Sequence, residues 1–144
     1  PTAACGRSWR TSSHRRQRAA DHGGLHHTDG SVRQIMEDFI ASGVDILNPV
    51  QFNAAGMDAA GLKRDFGGRL VFWGAGVDVQ TTLPFGTPDQ VRAEVRAHLR
   101  ALAPGGGFVF GGVHNIQARV PTANLEAMHA EFAAWRKYPV RAAA

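Results

Sequence analysis

The sequence predicts an α/β protein built on a parallel sheet, and three observations carry that prediction. Short apolar runs ending in polar turns recur four times from Leu25 onward. Each is followed by a segment with helical periodicity or a helix-start signal. The third run, Arg69 to Gly76, is almost continuously apolar, as expected of a strand covered on both faces. Strands that alternate with helices imply parallel pairing through right-handed crossovers.

The first unit centres on Leu25-His26-His27-Thr28-Asp29-Gly30-Ser31-Val32, read as a strand end, a turn and the first turn of a helix. His27 and Asp29 stand two residues apart, so in extended chain both side chains point the same way. His26 falls on the opposite face. Asp29 is also a favoured type of helix N-cap, so a local capping bond competes with a ligand or substrate role. The following helix carries Val32, Ile35, Met36, Phe39 and Ile40, a spacing of i, i+3, i+4, i+7, i+8, and Gly43 closes it.

Val44 to Val50 reads as the second strand, stopped at Pro49. A weak helix is expected over Ala55 to Phe66, with Gly61 inside it and Gly67-Gly68 ending it. After the third strand a loop leads to Thr87-Pro88-Asp89-Gln90, with Thr at the N-cap, Pro at N1 and Gln at N3. That helix should turn Val91, Val95, Leu99 and Leu102 inward. Phe108 to Val113 is the fourth strand. A last helix is expected from Thr122 to about Tyr138, with Leu125, Met128, Phe132 and Trp135 on one side and a frayed Ala-rich tail.

Charge and composition narrow the function classes. Residues 1–24 hold Arg7, Arg10, Arg15, Arg16 and Arg18 against Asp21, a net of +4, whereas residues 25–144 hold eleven basic and eleven acidic residues. The first 24 residues therefore read as a disordered or irrelevant basic leader, and 25–144 as the folded unit. The body lacks the clustered basic face that nucleic-acid binding needs. No apolar run approaches the ~20 residues that span a bilayer. The N-terminus lacks the apolar core of a secretory signal. Cys5 is the only cysteine, which excludes an internal disulfide and fits a reducing cytoplasm.

Ligands of parallel α/β sheets gather at the C-terminal ends of the strands. His27, Asn48 and Gln51, Asp78 and Gln80, and His114 and Asn115 all fall there. Neutral amides suit orientation more than proton transfer, so Asn48, Gln51, Gln80 and Asn115 are substrate-binding candidates, and His114 and Asp78 the catalytic ones. Trp73 and Phe85 are candidates to line an apolar pocket, with core packing the simpler use for Trp73. His98 and His129, on helices, read as surface residues.

Several segments, in consistent order and spacing, resemble the uroporphyrinogen decarboxylase superfamily. They are His27-Thr28-Asp29-Gly30-Ser31-Val32, Gly43 to Gln51, Phe72-Trp73-Gly74, Leu83 to Pro88, Pro104 to Phe108, and Val113-His114-Asn115-Ile116-Gln117. The superfamily joins true decarboxylases with corrinoid-dependent methyltransferases on a (β/α)8 barrel. The likeness covers Leu25 to about Tyr138 and aligns with the C-terminal half of that barrel. The resemblance therefore implies a fragment with four strand–helix units, lacking the half that carries the decarboxylases' arginines and catalytic aspartate. Such a half barrel has two open sheet edges, which invite self-association.

In the methyltransferase branch a His-x-Cys-Gly turn and a later cysteine bind zinc. His27 matches that histidine, Asp29 stands in place of the first cysteine, and His114 lies near the second position. The resemblance thus implies a zinc site of His27, Asp29 and His114, which are acceptable zinc ligands, and a corrinoid carried by a partner protein. In the decarboxylases His114 matches a histidine near the pocket, and no cofactor is needed. The His-x-Asp turn leans toward methyl transfer on a small-molecule substrate. The alternatives are uroporphyrinogen decarboxylation in porphyrin biosynthesis and a non-catalytic half-barrel scaffold.

Overall fold

A computed structural model describes residues 24–140. The basic leader and Cys5 lie outside the described residues, as do the last four residues of the tail. Within them the chain runs through four parallel strands, β1 (Leu25–His27), β2 (Ile46–Asn48), β3 (Val71–Trp73) and β4 (Phe108–Val109). They are hydrogen-bonded in the order β1-β2-β3-β4. That order has no reversal, so there is no switch point of the doubly wound kind. The arrangement is half of a (β/α)8 barrel, as expected.

Five α-helices connect or follow the strands: α1 (Met36–Ala41), α2 (Ala59–Phe66), α3 (Thr82–Phe85), α4 (Pro88–Leu102) and α5 (Thr122–Trp135). α1 is preceded by a 3-10 turn, Arg33–Ile35, so the expected continuous helix from Ser31 is broken. The change of pitch turns Ile35 outward, 44% exposed, while Val32, Met36 and Ile40 stay buried. Gly43 ends this unit at φ +97°, a conformation open to glycine. α2 starts later than Ala55 because Asp58 caps it, accepting from the Gly61 amide at 2.7 Å. A Cβ at position 61 would stand 2.6 Å from the Asp58 carboxylate, which explains a glycine inside the helix.

α4 forms as expected. Thr87 accepts from the Gln90 amide, and the Gln90 side chain accepts from the Thr87 amide, a complete capping box. Val91, Val95, Leu99 and Leu102 are all buried. α3 was not expected; it is a single turn inside the loop after β3. In α5 the buried face is Asn124, Ala127, Met128 and Glu131, rotated from the expected apolar stripe. The two polar members are satisfied there: Asn124 donates to the Leu83 and Gly86 carbonyls at 2.8 Å, and Glu131 pairs with Arg96 at 2.7 Å.

The register sorts the strand residues onto two faces. His26, Leu47, Phe72 and Phe108 line one face, where Leu47 and Phe72 are fully buried in a core with Met36, Ile40, Leu62 and Phe66. His26 packs on Phe39, ring centroids 4.2 Å apart. The other face carries Leu25, His27, Ile46, Asn48, Val71, Trp73 and Val109. It is largely open, with Leu25 49%, Trp73 40% and Val109 42% exposed. β3 is therefore covered on one face, not two, and Trp73 is not a core residue. An apolar run cannot distinguish a face covered by this chain's helices from one that is barrel interior.

Candidate functional site

The polar turns after β1, β2 and β4 meet on one rim. After β1 the chain turns through Thr28, Asp29 and Gly30 and lies against the loop that leaves β2. The Thr28 amide donates to the Asn48 carbonyl at 2.9 Å, extending the ladder. His27 Nδ1 meets Asn48 Oδ1 at 2.9 Å, and the Gly30 amide donates to Gln51 Oε1 at 2.8 Å. Ser31 Oγ donates to the Ala55 carbonyl at 2.6 Å. Asn48 and Gln51, expected to bind substrate, each spend a side-chain oxygen on holding the first turn. Gly30 sits at φ +80°, which the tight turn requires.

The loop after β4 brings His114 to the same rim. Its Nε2 lies 3.9 Å from Asp29 Oδ2. β1 and β4 are opposite edges of the sheet, so this approach crosses the mouth between them. The His114 side chain is 23% exposed and that of Asp29 65%. Asp29 does not cap a helix, since no side-chain cap bond forms at the 3-10 turn or at α1. Asn115 beside it is exposed, and its carbonyl accepts from the Gln117 side chain at 3.1 Å. Arg33 is ion-paired with Asp65.

Asp78 belongs to a different neighbourhood. Its Oδ1 accepts from the amides of Gln80 (2.7 Å) and Thr81 (3.1 Å), and its Oδ2 from Asn53 Nδ2 at 2.8 Å. Its own amide donates to Glu94 Oε1 at 2.6 Å. Burial alone would raise its pKa, but the donors on Gln80, Thr81 and Asn53 outweigh this and hold the carboxyl below its ordinary range. A buried carboxylate with both oxygens occupied anchors the turn into α3 and is ill suited to shuttle protons. Gln80 contributes its backbone to that turn, and its side chain is exposed.

His98, expected at the surface, packs beside this anchor. Its ring lies 3.9 Å from that of Phe52, and Nδ1 is 3.3 Å from the Gly76 carbonyl. Burial lowers its pKa, favouring the neutral imidazole. Asn53 and Glu94 were not singled out from the sequence and His98 was read as a surface residue; only their long-range partners reveal them. Phe85 is 83% exposed on α3 and borders a shallow groove with Thr81 and Glu94.

Asp29 and His114 approach one another, and His27 meets Asn48 through Nδ1. Among the described residues no three His, Cys, Asp or Glu side chains converge as metal ligands.

The class defined by this fold and rim is therefore a parallel half barrel with a His-, Asp- and Asn-bearing mouth at its strands' C-terminal ends. The profile of the uroporphyrinogen decarboxylase (URO-D) family matches residues 10–135, and the chain belongs to that family. The match begins inside the first 24 residues. Neither the curated proteins nor the solved structures yield a match.

Proposed function

We propose that this chain forms the C-terminal half of a methyl-transferring barrel, acting with a small-molecule substrate and a corrinoid carried by a partner protein. The observation that carries this reading is the approach of Asp29 to His114 across the mouth. A carboxylate beside a histidine at the rim is compatible with a neutral methyl donor. The corrinoid supplies the cobalt centre with which the methyl group is exchanged. His114 is the acid that supplies a proton to the oxygen or sulfur that parts from the methyl group, with the Asp29 carboxylate nearby at the rim. The open face beneath, with Trp73 and Val109, provides an apolar floor. No helix of the described residues is long and apolar enough to cross a membrane, and a cytoplasmic setting suits a corrinoid-protein partner.

The test is methyl transfer followed by the corrinoid absorption spectrum, with His114→Ala beside the parent protein. Corrinoid-dependent turnover that the substitution lowers by about a hundred- to ten-thousand-fold is expected. Carbon dioxide release from uroporphyrinogen without a corrinoid protein would instead establish decarboxylation, the reading favoured by the family's own name. The exposed sheet face favours a third reading, a half barrel that acts as a scaffold bound to a partner.

A further inference from the structure

We infer that the cavity beside β4 is a binding site for a small organic carboxylate with an apolar body, held at its charged end by Arg136. This goes beyond the proposed reaction and does not depend on it. Phe108, in the cavity wall, lies on the helix-covered face of the sheet, opposite the face that carries His27 and Asn48.

The cavity is bounded by α4, by β4 with the residue that follows it, and by α5. Leu99 and Ala103, at the end of α4, are both buried in its wall. Phe110 and Phe132 form another side, their rings stacked with centroids 4.3 Å apart and planes at 11°. Beyond α5 the chain folds back, with Val140 buried, so that Tyr138 and Val140 border the remaining side. Arg136 is the one charged residue among the described residues that line the space. A basic residue at a helix C-terminus is favourable in itself, which accounts for its type but not for its place at an apolar cavity. No carboxylate among the described residues pairs with it, whereas Arg96 on α4 pairs with Glu131 at 2.7 Å. A guanidinium beside an apolar hollow complements an anion whose remainder is apolar, and its planar fork suits a carboxylate. The Tyr138 hydroxyl is a second donor at the border. A volume of about 310 Å³ is at the lower end of small-molecule sites. The body of the ligand is therefore short, an alkyl chain of medium length or a single ring.

The experiment is calorimetric titration of the full chain with octanoate, beside octanol and butyrate, at protein concentrations where sedimentation shows the monomer. Octanoate should saturate one site per chain, and both comparison compounds should bind more weakly, one lacking the charge and the other most of the apolar body. Arg136→Gln, an exposed change, should weaken octanoate about tenfold or more and leave octanol unaffected. Ala103→Leu, which fills the cavity, should abolish both. Octanoate binding that Arg136→Gln leaves unchanged would overturn the inference, whether or not the leucine variant folds. Equal affinity for octanol and octanoate in the parent would overturn the anion assignment. Absence of saturable binding by the monomer would overturn the site itself, and the cavity would then be only an edge surface for a second copy of the chain.

Discussion

Three hydrogen bonds converge on the Asp78 carboxylate, and they decide its use. A carboxylate so supplied has a lowered pKa in the folded chain. Its stabilising contribution is complete above the ordinary carboxyl pKa and is lost as pH falls through the lower folded value. Asp78→Ala should cost about 1–3 kcal/mol at neutral pH, measured by urea unfolding, and the penalty should shrink in strong acid. His98 differs in sign of charge but not in direction. Its folded pKa is also lowered, so the unfolded chain binds the proton first. Stability should decline as pH falls below about 6.5, and His98→Gln should flatten that part of the pH–stability curve. At the mouth, His114→Ala should lower the rate of methyl transfer by about a hundred- to ten-thousand-fold, with far-ultraviolet circular dichroism unchanged.

At the scale of elements, α4 owes its position to its start and its stripe. Thr87→Ala removes one half of the capping box and should cost about 1 kcal/mol, read as a lower denaturation midpoint with unchanged slope. This helix was fully legible in the sequence, because a capping box and an apolar i, i+4, i+8 series are local patterns. The first helix was less so. Its stripe was present, but the 3-10 turn that exposes Ile35 arises where Ser31 and Arg33 reach across to the Ala55 and Gly56 carbonyls. α5 shows the same effect in another form. Asn124 and Glu131 are buried because distant partners satisfy them, and no local rule announces a polar residue on a packed face.

At the scale of the molecule, the dominant feature is a sheet with one face covered by helices and one face open. β4 is an edge strand, and an apolar cavity of about 310 Å³ runs beside it, lined by Phe108, Val109, Phe110 and Phe132. Unpaired edges beside exposed apolar side chains drive association. Sedimentation velocity should show mass above the monomer that rises with concentration, and Val109→Lys should shift it toward monomer. A strictly monomeric, cooperatively folding chain would contradict this expectation.

The sequence by itself determined the alternation of strands and helices, the best-formed helix and the family, because these depend on neighbours a few residues apart or on motifs in fixed order. Only the tertiary structure decided which polar residues share a rim. It set Asn48 and Gln51 against the first turn, withdrew Asp78 into its own network beside His98, and brought Asp29 to His114 from opposite sheet edges. Those outcomes depend on strand register and loop curvature, which no pattern along the chain encodes.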